Sequence, residues 1–313
     1  MASEEEIIIE GAVSIGATVT YADKGRRSPA VILIQGTGKG DRDGNQTGLK
    51  WDLYRNLAGT FSDMGCVVAR YDKRGIGKTA GSLSTAGLSD LVDDAVSVIR
   101  HIKSLPFVDE DRVIVCGHSE GAIIATILSR KEKVAGLILL GGAGVSLKDA
   151  LYYQNRLVAD QSESMKGFKG FLIRRTSGGE KGIAKVDSIF GKALSTDKAT
   201  IGAAHISAKW LREHGSYTSE DLVSIVRDFG GPVLAITGTA DISMDYRMLD
   251  AFDGASNVEC FTPENVNHIL REIDDDNSIL NIRKQYARLA AKPMDPGVEK
   301  RIRDWMSSNF IQA

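Results

Sequence analysis

Val113-Ile114-Val115-Cys116-Gly117-His118-Ser119-Glu120-Gly121-Ala122-Ile123-Ile124 is the stretch that decides the fold. Its first four residues are a short apolar run, the pattern of a strand buried on both faces. Helical residues resume after Gly121, so the expectation is strand, sharp turn and helix, with Ser119 at the apex. G-x-S-x-G alone is a modest signal in a chain with 33 glycines, and its setting is what gives it weight. A serine on a strained strand-to-helix turn presents its Oγ outward, as a nucleophile must. The flanking glycines are needed because a Cβ at either would collide with the neighbouring strand or helix. A glycine-rich turn without chemistry is the competing reading, and the strand-turn-helix setting disfavours it.

Outward from this turn, strand and helix alternate. Apolar runs at 31–34, 66–69, 113–116 and 137–140 read as buried strands. Helical spacing covers 51–64 (Leu53, Leu57, Phe61, Met64), 89–104 with Ser89 as N-cap, and 121–129. Such alternation predicts a parallel sheet with helices on both faces. The N-terminal runs at 7–9 and 15–21 read as a hairpin or two short strands. The rhythm breaks after Gly144. Between 146 and 229 no strand-like run is visible, only helical segments at 151–159, 201–214 and 219–229. Strands return at 233–236 and 258–261, and helices at 279–291 and 297–307 close the chain. The expected organisation is a core of 1–145 and 230–313 with an all-helical cap at 146–229.

Composition narrows the function classes. Hydrophobic residues make up 42% and charged residues 26% of 313, enough apolar material for a core and too little bias for a rod or a disordered chain. The net charge of −2 gives no electrostatic reason to expect nucleic acid or an anionic membrane as main partner. No apolar stretch is long enough to span a bilayer, and MASEEEIIIE at the start has neither the charge nor the apolar length of a secretory signal. A soluble, cytoplasmic protein is expected. Cys66, Cys116 and Cys260 lie far apart without a CxxC pair, so reduced core cysteines are expected rather than a metal or disulfide framework.

A nucleophilic serine on such a turn needs an acid and then a base, in that order along the chain, at the ends of later strands. Asp241 follows the 233–236 strand and His268 follows the strand ending near Phe261. Asp245 competes for the acid role, but its position reads as the N-terminal carboxylate of the next helix. His101 falls in a surface helix, His205 and His214 in the insertion, and His118 beside the serine. Two backbone N–H groups should hold the developing oxyanion: that of Glu120, and one from the glycine-rich loop Gln35-Gly36-Thr37-Gly38, assigned to Thr37. Nucleotide-binding patterns fail at residues that matter: Asp72 and Asp41 stand where glycines would be required. No His-Glu-x-x-His or Cys/His cluster suggests a metal, and no cofactor is expected.

These features together resemble the α/β-hydrolase superfamily along nearly the whole chain, and most closely bacterial carboxylesterases of the serine-aminopeptidase-like branch with a helical cap. The resemblance rests on Gln35 to Gly38 with Asp41-Arg42-Asp43 behind, Tyr71-Asp72-Lys73-Arg74-Gly75-Ile76-Gly77, Gly117 to Gly121, Gly238 to Asp241, and His268. It implies an α/β-hydrolase fold, a Ser119–His268–Asp241 triad and ester hydrolysis through an acyl-enzyme. Many members carry histidine where this chain has Gln35, whose amide can still hold the loop. Small-molecule esters of short to medium acyl groups are the expected substrates, with homo-oligomerisation open. A peptidase, thioesterase or acyltransferase would use the same positions, and the rivals from another class are a ligand receptor that keeps the pocket without turnover and a nucleotide-binding protein. The aromatics Tyr152, Tyr153, Phe168, Phe171, Phe190 and Trp210 are expected to line an acyl pocket under the cap.

Overall fold

The computed structural model describes residues 2–168, 180–274 and 277–311. Eight strands form one sheet: β1 (Ser3–Ile9), β2 (Ile15–Tyr21), β3 (Ser28–Ile34), β4 (Val67–Tyr71), β5 (Val108–His118), β6 (Gly136–Leu140), β9 (Val233–Ile236) and β10 (Val258–Phe261), in the order β1-β2-β4-β3-β5-β6-β9-β10. From β4 to β10 every pairing is parallel. The N-terminal hairpin β1–β2 adds antiparallel to β4, with Ile9 opposite Ile15. This is the α/β-hydrolase arrangement.

The apolar strand runs place alternate side chains on opposite faces, as a period of two requires. Ala30, Ile32 and Ile34 of β3 join Val113 and Val115 of β5 in one buried cluster, closed by α2 (Leu88–Lys103) and α3 (Glu120–Leu128). Val31, Leu33, Ile114 and Cys116 face the other way, against α1 (Leu53–Asp63) and the C-terminal helix Pro296–Asn309. Both faces are covered, which explains why these strands read as continuous apolar runs. Helix α1 begins later than its periodicity suggests because Asp52 is left-handed, φ 46°. Helix α2 is capped by Gly87 rather than Ser89: the Asp90 carboxylate accepts the Gly87 N–H at 2.7 Å, and Ser89 instead bonds Glu213.

Between β6 and β9 the chain leaves the sheet through α4 (Leu147–Glu163), α5 (Glu180–Leu194), α6 (Ala208–His214) and α7 (Ser219–Arg227). This insertion is not wholly helical. A two-residue antiparallel pair, β7 (Thr200–Ile201) with β8 (Ile206–Ser207), occupies the start of the expected 201–214 helix. His205 in its turn is left-handed, φ 50°, a conformation that no α-helix can carry through. Helices α4, α5 and α6 share a small cluster of their own around Leu147, Val186, Phe190 and Leu211, whereas Leu222 and Val226 of α7 belong to the main sheet cluster. No described helix is long and apolar enough to cross a membrane. Cys66 and Cys116 are buried, but Cys260 is exposed because β10 is an edge strand with an open face.

Candidate active site

The strand order reverses at β3: β4 lies on one side and β5 on the other, so the loops after β3 and β5 flank a crevice at the carboxyl ends of the strands. Ser119 sits there between β5 and α3 at φ 57°, ψ −121°, a strained conformation for a residue with a Cβ. The tightness of the packing explains the two glycines. A Cβ on Gly117 would lie 2.1 Å from the Gly121 carbonyl oxygen, and one on Gly121 would lie 2.1 Å from that of Ile34 in β3. Both obstacles are backbone and cannot step aside, so helix and strand both enforce glycine.

Asp241 and His268 arrive from the loops after β9 and β10. His268 Nδ1 is 2.7 Å from Asp241 Oδ2. The other carboxylate oxygen, Oδ1, accepts the backbone N–H groups of Ser243 (2.7 Å) and Met244 (2.9 Å). Asp241 is almost fully buried. Asp245 instead caps the short 3₁₀ turn Tyr246–Phe252 and pairs with Arg247, as its position suggested. Ser119 and His268 line one pocket of about 180 Å³ with Gln35, Gly36, Thr37, Gln46, Trp51, Tyr54 and Tyr286. Ser119 Oγ makes no hydrogen bond among the described residues.

The loop after β3 approaches the serine closely: a Cβ on Gly36 would stand 2.9 Å from the Ser119 Cβ. Gln35 pins that loop by donating from Nε2 to the Tyr71 carbonyl at 2.6 Å. The Gly36 N–H is taken by the Tyr54 hydroxyl at 2.9 Å and the Ser119 N–H by the Leu140 carbonyl at 2.8 Å. Among the described backbone bonds none uses the N–H of Thr37, which lies between these fixed points. His118 packs beside the elbow. Its Nδ1 meets the Tyr54 hydroxyl at 3.0 Å and its Nε2 the His268 carbonyl at 2.8 Å, and burial together with the nearby His268 lowers its pKa to about 3. It is neutral at physiological pH, donating one proton and accepting another.

Arg42 anchors the start of the Asp72–Gly77 turn, gripping the Asp72 carboxylate through Nε (3.0 Å) and Nη2 (2.5 Å) deep in the fold. Its neighbour Lys73 points elsewhere, and so does the Glu120 side chain, which the sequence reading passed over. Glu120 accepts from Trp210 Nε1 at 2.5 Å and meets His214 Nε2 at 3.1 Å and Lys73 Nζ at 3.7 Å. Burial alone would raise the Glu120 carboxyl, but His214, Lys73 and Trp210 outweigh it and hold the pKa at about 2. No local sequence signal marks these partners, because His214 is 94 residues from Glu120.

Beside this cluster lies a larger cavity of about 470 Å³, bounded by Thr37, Gly38 and Glu120 on one side and by Ile76, Leu83, Leu91, Ile206 and Trp210 among others. Of the six aromatics expected around an acyl pocket, Trp210 lines it. Tyr152 bonds Asp187 and packs with Phe190 inside the insertion, the Tyr153 hydroxyl donates to the Asp241 carbonyl at 3.2 Å, and Phe168 is exposed. Phe171 lies outside the described residues. Among the described residues no group of three His, Cys, Asp or Glu side chains could hold a metal.

Comparison with known proteins gives consistent results. The model of the family described as "Serine aminopeptidase, S33" matches residues 48–262. Esterase EstD of Thermotoga maritima is 23% identical over 271 residues, covering 85% of this chain but 60% of EstD, so the chain spans less than two thirds of that relative. The solved structure of Est1E from Butyrivibrio proteoclasticus with ferulic acid superposes with TM-score 0.58 at 14% identity, covering 92% of this chain and 98% of that one. An esterase of Pyrococcus furiosus, Pf2001, gives TM-score 0.55 at 12% identity, with 99% and 94% covered. At such identities the structural likeness shows the shared fold.

Proposed function

Because the chain belongs to the serine aminopeptidase S33 family of α/β-hydrolases, we propose that it is a serine hydrolase acting on carboxylic esters, with Ser119, His268 and Asp241 as its triad. The observation that carries this reading is the 2.7 Å His268–Asp241 pair opening onto the same pocket as the left-handed Ser119. In the proposed reaction His268 Nε2 takes the Ser119 proton as Oγ attacks the ester carbonyl, and Asp241 fixes the tautomer and stabilises the imidazolium. The tetrahedral oxyanion is held by the N–H groups of Thr37 and Glu120, each worth about 3 kcal/mol of barrier in comparable sites. The imidazolium returns its proton to the departing alcohol. Water, activated by the same base, then releases the acid.

The family's name keeps aminopeptidase activity as a second reading, and one experiment separates the two. p-Nitrophenyl esters from acetate to octanoate are assayed beside aminoacyl p-nitroanilides. Ester turnover with none on the anilides supports the esterase; the reverse pattern replaces it with a peptidase.

The inserted residues 146–229 act in this reading as a cap whose hairpin and α6 close the larger cavity over the acyl chain. Leu83, which also lines that cavity, gives a test. Leu83→Trp should lower kcat/KM for octanoate about tenfold relative to acetate, equivalent to ~1.4 kcal/mol of differential binding. An unchanged acetate-to-octanoate ratio in the folded variant would remove the acyl chain from that cavity.

A further inference from the structure

Lys73, Glu120 and His214 are each no more than 4% exposed, a dense set of ionisable groups packed against the elbow. Buried ion pairs are weak stabilisers, since apolar residues of similar volume often serve as well or better. The placement of Lys73 supplies another reason for it. Its Nζ donates to the Gly36 carbonyl oxygen at 2.5 Å and faces Glu120 Oε2 at 3.7 Å. The Gly36 carbonyl and the Thr37 N–H are opposite ends of one planar trans peptide, so fixing the direction of one fixes the other. An ammonium on the carbonyl end also draws electron density towards that oxygen and strengthens the N–H as a donor. The second N–H of the oxyanion hole belongs to Glu120, whose carboxylate the same ammonium faces.

We propose that Lys73 is a positioning residue of the oxyanion hole, orienting and polarising the Gly36–Thr37 peptide through its carbonyl and holding Glu120 through its carboxylate. This rests on the hydrolase reading above. Trp210 and His214, both on α6, grip the same carboxylate, so the inserted helices are tied to the hole through Glu120.

The test uses the full chain with p-nitrophenyl acetate, active sites being counted by fluorophosphonate titration. Lys73→Met is expected to lower kcat per active site at least about tenfold, with KM changed less than about twofold. Affinity for phenylboronic acid, whose tetrahedral adduct with the serine places an oxygen in the hole, should fall in parallel with kcat. A purely structural role would reduce the number of active sites and leave kcat per site untouched. Because Lys73→Met leaves Glu120 without its ammonium, the double variant Lys73→Met/Glu120→Gln removes both charges and carries the test if the single variant does not fold. It should remain slow, since the Gly36 carbonyl is still without its donor. Wild-type kcat per site and wild-type boronate affinity in the folded double variant would overturn the role of Lys73 while leaving the hydrolase reading intact. Ester turnover that survives Ser119→Ala would instead overturn the hydrolase reading itself, and this proposal with it.

Discussion

Ser119→Ala is expected to lower ester turnover by about a million-fold and to abolish covalent labelling by a fluorophosphonate, with the fold retained. The size follows from the loss of the attacking atom: binding and the two N–H donors remain, so a residual rate above that of water should persist. Retention of fold follows from the site. Ser119 Oγ takes part in no described hydrogen bond, so alanine removes no structural contact, and the left-handed backbone strain of about 1–3 kcal/mol is the same for both side chains. Near-normal turnover, or stoichiometric labelling of the folded variant, would place the nucleophile elsewhere. His268→Ala should come close to the same loss, because the serine hydroxyl then keeps its proton at neutral pH.

Asp241→Asn should cost about ten-thousand-fold in kcat, and the hydrogen bonds around the carboxylate say why. Oδ1 is committed to two backbone N–H donors, those of Ser243 and Met244. An asparagine must therefore turn its carbonyl oxygen to them and its NH₂ group to His268 Nδ1. That nitrogen then has to accept, which moves the imidazole proton to Nε2 and leaves the ring unable to take the serine proton. The variant should keep its melting temperature within a few degrees and still bind substrate. A kcat within tenfold of wild type would show that the acid acts from another position, and Asp245, already engaged with Arg247, would be tested next in the same way.

What the sequence disclosed followed from local chemistry. The 31–34 and 113–116 runs were readable because strands covered on both faces have no polar side, and Gly117 and Gly121 because only glycine fits against the backbone of α3 and β3. That Asp241 and His268 would meet, as they do at 2.7 Å, could be expected from their order and position alone. The β7–β8 pair was not, since two residues per strand carry no periodicity and Ile201 and Ile206 fit a helical pattern equally well. Which of the insertion's aromatics face the larger cavity was not legible, because packing among the inserted helices uses the same side chains as a pocket wall would: Trp210 lines it, whereas Tyr152 and Phe190 pack within the insertion. Lys73 read as one residue of a glycine turn. Its contacts with Gly36 and Glu120 exist only once β3, β4 and β5 lie side by side.

The antiparallel hairpin at one end of the sheet bears on how copies of this protein meet in a crowded solution. An open sheet has two rims of unpaired backbone groups, each a template on which another strand can grow. Here the β1 rim carries Glu4, Glu5 and Glu6 in succession, all exposed, so carboxylates project from both faces of the strand. Each is already engaged by a cation of the same chain, Arg70, Lys24 and Lys78 in turn, so an added strand would meet a row of ion pairs along that rim. The opposite rim, β10, is only four residues long and carries Glu259, which Arg301 engages from the C-terminal helix. Both rims thus carry charged, ion-paired side chains where an unpaired sheet edge would otherwise stand bare, one of the ways open sheets manage their edges short of closing into a barrel.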